Sequence, residues 1–209
     1  MARGQTIEEE KTMKELRIRI TLTEEALGMM PANPEIYRDY IASNAPDAAK
    51  LAEEIEENGV DAMVESGTTV FPRLEDGRPF FWDYQIRGMF KDSIGMLRRV
   101  PGTACSKLKA YKKFVDGLIF VRERKISVEV CGEMGNCQRS LRTDGPTGSR
   151  TALASSETVP AGSTMTMTIV MLTDELEAAV KECLDYGALR GLGQWRNSGK
   201  GRFAWEEVC

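Results

Sequence analysis

"YGALRGLGQWRNSGKGRF", residues 186–203, sets five glycines (Gly187, Gly191, Gly193, Gly199, Gly201) and four cations (Arg190, Arg196, Lys200, Arg202) between a helical pattern and a strand pattern. Glycine loses more backbone freedom on folding than any other residue. A run this dense is therefore either a loose tail or a backbone that must come close to something. Upstream, "TDELEAAVKECLDYGALRGLG" places Leu176, Ala179, Val180 and Leu184 on one helical face behind a Thr173 cap, and predicts a helix ending at Gly187 or one turn later. Downstream, "RFAWEEV" reads as a closing strand, so the glycines join two ordered elements.

The remaining elements follow from period. "KELRIRITLTE" (14–24) alternates Leu16, Ile18, Ile20 and Leu22 against Arg17, Arg19, Thr21 and Thr23, the pattern of a half-buried strand. "SETVPAGSTMTMTIVML" (156–172) turns at Pro160-Ala161-Gly162 and alternates Met165, Met167, Ile169 and Met171, which predicts a central strand. Residues 67–97 carry two short apolar runs around Asp76-Gly77, a hairpin signal, and then a helix over Ile86–Leu97. "KFVDGLIFVRERKISVEV" (113–130) is rich in β-branched and aromatic residues and reads as a strand or a pair of strands. Residues 131–155 lack apolar periodicity and read as a long polar loop. Residues 33–59, opening on Asn-Pro and closing at Asn58-Gly59, read as an acidic helical lobe. Residues 1–13 read as a disordered tail ahead of a single domain over 14–209. The order predicts an α+β fold, a ferredoxin-like or RRM-like sheet with helices on one face and a helical insertion.

Composition narrows the chemistry. The 209 residues, 42% hydrophobic, suffice for one core, and 32 acidic against 28 basic residues give a net charge of -4. A basic ligand-binding face must then be local. Histidine is absent, which removes Ser-His-Asp and Cys-His nucleophile chemistry and imidazole metal ligands. Five cysteines (Cys105, Cys131, Cys137, Cys183, Cys209) make an odd number without a CxxC pair and read as reduced thiols. Cys131 and Cys137 bracket "GEMGN" as a zinc half-site, but no second pair follows; neither metal nor cofactor is expected. No apolar run approaches the roughly 18–20 residues of a membrane span, and the charged start does not suit a signal peptide, so a cytoplasmic protein without membrane contact is expected.

The succession of helix, "GLGQWRNSGKGRF" and strand resembles the glycine-rich loop of the repeat-associated mysterious protein (RAMP) superfamily, the RNA-binding backbone and processing subunits of CRISPR effector complexes. "FFWDYQIRGMFKDSIGMLRRV" (80–100) is similar to the backbone-subunit segment in which a strand delivers a short polar turn into a helix with a glycine and a basic residue. "SSETVPAGSTMTMTIVML" resembles their late hairpin. The resemblance spans residues 14–207. It implies single-stranded RNA as partner, and a homo-oligomer or effector-complex subunits as neighbours. The chain departs from the family after the first strand, where "ALGMMPANPEIYRDY" replaces a small polar loop, and the missing histidine argues against a processing nuclease.

The residue types point the same way. Glycine-rich backbone leaves N–H groups to face an anion, Arg190, Arg196, Lys200 and Arg202 bring positive charge, and Trp195 offers a stacking face for an unpaired base. The expected nucleic-acid-binding set is Arg190, Gly191, Gly193, Trp195, Arg196, Ser198, Gly199, Lys200, Gly201 and Arg202, joined by Arg87, Lys91, Arg98 and Arg99 in one groove. Arg139, Arg142 and Arg150 form a third cationic set in the polar loop. Against this stands a plain packing corner for the glycines and a solvated helix face for the cations. No catalytic residue is assigned: Glu24, Glu25, Asp39, Asp83 and Asp92 are the acids open to a metal-dependent ribonuclease, none in a matching motif. A third reading is a phage or mobile-element protein that uses the fold to bind or mimic a host defence complex.

Overall fold

The computed structural model describes residues 13–32, 68–145 and 148–208. The elements in chain order are β1 (Lys14–Leu22), β2 (Ala26–Leu27), β3 (Met30–Pro31), β4 (Thr68–Val70), β5 (Phe80–Trp82), α1 (Asp83–Leu97), α2 (Tyr111–Leu118), β6 (Ile119–Val121), β7 (Lys125–Glu129), β8 (Gly135–Gly145), β9 (Gly148–Val159), β10 (Thr164–Met171), α3 (Leu176–Arg190) and β11 (Phe203–Glu207). The lobe expected over 33–59 and the tail over 1–12 lie outside the described residues.

The main sheet runs β11-β1-β10-β7-β5, with β6 also on β10. Its neighbours are antiparallel. Register turns alternation into a core: Ile18 faces Met167 and Ile20 faces Met165, so the apolar rows of β1 and β10 share one side. Those side chains are fully buried. On that side lie α1 and α3, which supply Ile86, Met89, Phe90, Ile94, Leu176, Ala179, Val180 and Leu184 to the same cluster. The α1 set recurs at steps of three and four residues, the stripe of a helix with one buried face. Between β1 and the β6–β7 pair sits β10, the arrangement of a split βαβ unit.

Helix α1 begins at Asp83, ahead of the Ile86 start read from the sequence, because Gln85 Oε1 accepts the Trp82 N–H at 2.8 Å and closes the first turn. Helix α3 runs to Arg190 with Gly191 behind it, the later of the two expected ends.

Two sequence expectations need correction. Residues 113–118 are helical: α2 buries Val115 and sets Phe114 and Leu118 against the core, and only from Ile119 does the β-rich run become strand. Apolar and β-branched composition alone did not separate a short buried helix from a strand. The polar loop expected over 131–155 is a hairpin, β8 pairing β9 from Gly135↔Thr158 to Gly145↔Gly148. In a second sheet β9 also takes β2 antiparallel and β4 parallel, so its base is anchored while its far end extends as a two-stranded arm. Residues 131–140 are exposed or half-buried, and a strand fixed by its ladder hydrogen bonds has no need of apolar alternation there. No helix among the described residues is long and apolar enough to cross a membrane.

One carboxylate ties α3 to the α1–α2 connection. Glu182 accepts the N–H of Ala104 at 2.7 Å and of Cys105 at 3.0 Å. Burial pushes its pKa up, but these two donors outweigh it and hold the group below its ordinary 4.5. A carboxylate whose folded pKa lies below the unfolded one contributes fully above the unfolded value and loses that contribution as pH falls through the folded value. Glu182→Gln should therefore cost about 1–2 kcal/mol at neutral pH. Denaturant titrations of both proteins should show the gap shrinking as the pH drops below 4.5.

Candidate nucleic-acid interface

The glycine-rich segment forms a closed corner between α3 and β11. Gly191 N–H donates to Gly187 O at 2.7 Å, Leu192 N–H to Gly201 O at 2.8 Å, Gly201 N–H to Glu25 O at 2.8 Å and Thr23 N–H to Arg202 O at 2.9 Å. Two backbone passes cross here. A Cβ on Gly201 would stand 1.9 Å from Leu192 O, and one on Gly191 would stand 2.3 Å from Lys200 O, distances that no side chain tolerates. These two glycines answer to the crossing. Gly199 N–H is also engaged, by Arg196 O at 3.0 Å, so the N–H groups at 191, 199 and 201 point into the protein rather than toward an anion. These three residues therefore do not offer their N–H groups to an anion as the sequence suggested.

Most of the expected cations are engaged too. Asp92 on α1 holds Arg196 at 2.8 Å and Arg190 at 3.4 Å. Lys200 pairs with Glu25, whose hydrogen bond raises the lysine pKa above its usual value. Arg87 lies 3.4 Å from Asp83, and Lys91 lies 2.5 Å from Asp116 of α2. Arg98 sits 5.4 Å over the Tyr111 ring at the C-terminal end of α1, with Arg99 after it. Thus Arg190, Trp195, Arg196, Ser198, Gly199 and Arg202 gather at the corner, Arg202 lying 3.7 Å from where a Gly199 Cβ would stand. Lys91 turns to α2, and Arg98 and Arg99 occupy the far end of the helix. Arg99 and Arg202 are exposed, without a carboxylate partner among the described residues.

What completes the corner comes from β8. The Arg139 guanidinium stacks on Trp195 with its carbon 3.4 Å from the ring centroid, and its Nη2 donates to Gln194 Oε1 at 3.1 Å. Gln194 is itself fixed, its Nε2 donating to Gly28 O at 2.8 Å and to Thr69 Oγ1 at 3.3 Å. Nε and Nη1 of Arg139 are buried without a hydrogen-bond partner, and burial pushes the guanidinium pKa below its usual range. Trp195 has φ 57°, the one non-glycine positive φ among the described residues. A left-handed residue costs roughly 1–2 kcal/mol, so the indole position is one the surrounding structure enforces. Gln194 was missed in the sequence, and Arg139 appeared there only within a loop. They lie 55 residues apart, and no local spacing announces the pairing.

A second cluster carries no motif either. Trp82 and Tyr84 stack at 6.1 Å, with Arg124 and Lys125 over the rings. Among the described residues, no three acidic, cysteine or histidine side chains converge to hold a metal ion. Cys131 is exposed and Cys137 half-buried, both as free thiols, while Cys105 and Cys183 are buried with sulfurs 3.8 Å apart.

No protein-family model matches this sequence, and a search of curated proteins returns no match. The fold is similar to that of a chain in the cryo-EM structure of the Type III-B Cmr-β complex bound to cognate target RNA. The TM-score is 0.57 at 11% identity, over 94% of this chain and 61% of that one. The protein thus shares an α+β fold with that chain, and it spans less than two thirds of its structural neighbour's length.

Proposed function

We propose that this protein is a non-catalytic, single-stranded RNA-binding module of RAMP type that works with effector-complex subunits or with further copies of itself. The observation that carries the reading is Arg139: two buried donors without an acceptor, on a desolvated guanidinium laid over an indole. Once the guanidinium slides off the indole, a phosphate oxygen supplies the acceptor and the uncovered ring supplies the stacking surface for the attached base. A carboxylate-rich surface would serve the guanidinium but not the ring. The neighbouring fold, found in a complex bound to target RNA, supports the same assignment. Arg202, exposed beside Gly199, adds charge at the mouth of the corner.

One observation favours a second reading, a protein that docks onto or mimics a defence complex. Arg190, Arg196, Lys200, Arg87 and Lys91 all pair with carboxylates of their own chain, Arg190 and Arg196 sharing Asp92, which lowers the pull on phosphate. Fluorescence anisotropy with a labelled 30-nucleotide RNA, its duplex and matched single-stranded DNA separates the two. The RNA-binding reading predicts binding to single strands that weakens steeply with salt and is poorer for the duplex. Absence of binding to any of the three at micromolar protein favours protein docking.

A further inference from the structure

We infer a second base-stacking site at Tyr84 and Trp82, at the start of α1; it rests on the RNA-binding reading above and extends the path of the same strand. The site lies on the edge strand β5 and the first turn of the helix that follows. Phe80 is buried and meets the half-buried Trp82 edge-on at 4.9 Å. Trp82 and Tyr84 lie nearly parallel, 16° apart, and Tyr84 is 50% exposed. The rings thus form a ladder leading from the core to solvent, and its outermost member lies outside the hydrophobic cluster.

Arg124 of the β6–β7 turn and Lys125 at the start of β7 line this ladder. The Arg124 guanidinium carbon is 5.3 Å from the Trp82 centroid and 5.8 Å from that of Tyr84, and Lys125 Nζ is 5.4 Å from Phe80 and 5.8 Å from Trp82. The cross-strand register Trp82↔Lys125 fixes this placement. Asp83, 9% exposed, holds Arg124 and Arg87 through its two oxygens, so these cations keep their place without losing all their charge. Glu75 and Asp76 border the Lys125 side, Asp76 being paired with Arg78. A π face framed by fixed cations matches a nucleobase followed by its phosphate, and the charge excludes an apolar occupant such as an acyl chain.

Side-chain contacts through residues 28 and 29 link the two sites. Gln85, one residue beyond Tyr84, reaches Met29 Sδ at 4.0 Å, and the adjacent Gly28 accepts the Gln194 amide that supports Arg139.

The test is an anisotropy titration of a labelled 30-nucleotide RNA with wild type, Tyr84→Ala, Tyr84→Phe and Trp195→Gly, repeated with a strand made abasic throughout. Tyr84→Ala should weaken RNA binding about 5- to 30-fold. Tyr84→Phe should restore it, and the abasic strand should not distinguish the three Tyr84 forms. Wild-type affinity in Tyr84→Ala, with Trp195→Gly weakened, overturns this site and leaves the proposed function standing. No RNA binding by the wild type overturns both.

Discussion

Gly201→Ala should lower the melting temperature by about 10–15 °C, the largest single-residue effect expected at the corner. Three costs add. The new Cβ would fall 1.9 Å from Leu192 O and 2.9 Å from Leu192 C and N, all backbone atoms that cannot rotate away. Residue 201 holds φ +69°, where a Cβ costs roughly 1–2 kcal/mol even in open space. Any shift that relieves the clash stretches the bonds from Leu192 N to Gly201 O and from Gly201 N to Glu25 O, each worth about 1 kcal/mol. Together these give about 3–5 kcal/mol. Gly77→Ala is the control: φ is +85° there, but nothing lies within 4 Å of the new Cβ. Only the left-handed cost remains, roughly 1–2 kcal/mol, and thermal melts by circular dichroism should show a shift several-fold smaller. Equal shifts in the two variants would mean that the backbone crossing carries no special weight.

The second large effect concerns the ligand. Trp195→Gly removes the indole and, with it, the left-handed penalty at φ 57°, so the fold should be retained within about 1 kcal/mol. Arg139→Ala removes the guanidinium whose Nε and Nη1 are buried without partners, a standing cost of about 1–3 kcal/mol for each unsatisfied group in the free protein. That cost disappears when a phosphate oxygen arrives. A base stacked on an aromatic ring contributes about 1–3 kcal/mol, and a charge-assisted hydrogen bond about 1.5–3 kcal/mol. Each substitution should therefore weaken single-stranded RNA binding about 10- to 100-fold. Melting curves of the same variants keep a loss of fold from being mistaken for a loss of contact.

The sheet and its two main helices were legible because each has one buried and one wet face. Leu16, Ile18, Ile20 and Leu22 in β1, and Met165 to Met171 in β10, report burial at the period of a strand. The same logic made α3 and its glycine stop visible. It failed for the β8–β9 hairpin, whose β8 residues 135–140 are exposed or half-buried. It failed again at α2, where Phe114, Val115 and Leu118 are too few to show a period before the strand begins at Ile119. The candidate site was half legible. Trp195 and the glycine run stand out locally, but the carboxylates that occupy the cations come from afar: Asp92 is 104 residues from Arg196 and Glu25 is 175 from Lys200. Sequence spacing counts charges. Only the fold shows which of them are already paired, and the proposed function accordingly puts its weight on Arg139 and Trp195 rather than on Arg190, Arg196 and Lys200.

Whether Arg139 and Trp195 act as one contact is measured by a double-mutant cycle. Dissociation constants for a 30-nucleotide single-stranded RNA would be determined for wild type, Arg139→Ala, Trp195→Gly and the double variant, at two salt concentrations. Each single change should weaken binding, the double change should weaken it by clearly less than the product of the two, and Arg139→Ala should flatten the salt dependence. Unchanged affinity in all three folded variants would contradict the proposed contact, leaving the corner as a packing device and the RNA, if bound, on another face.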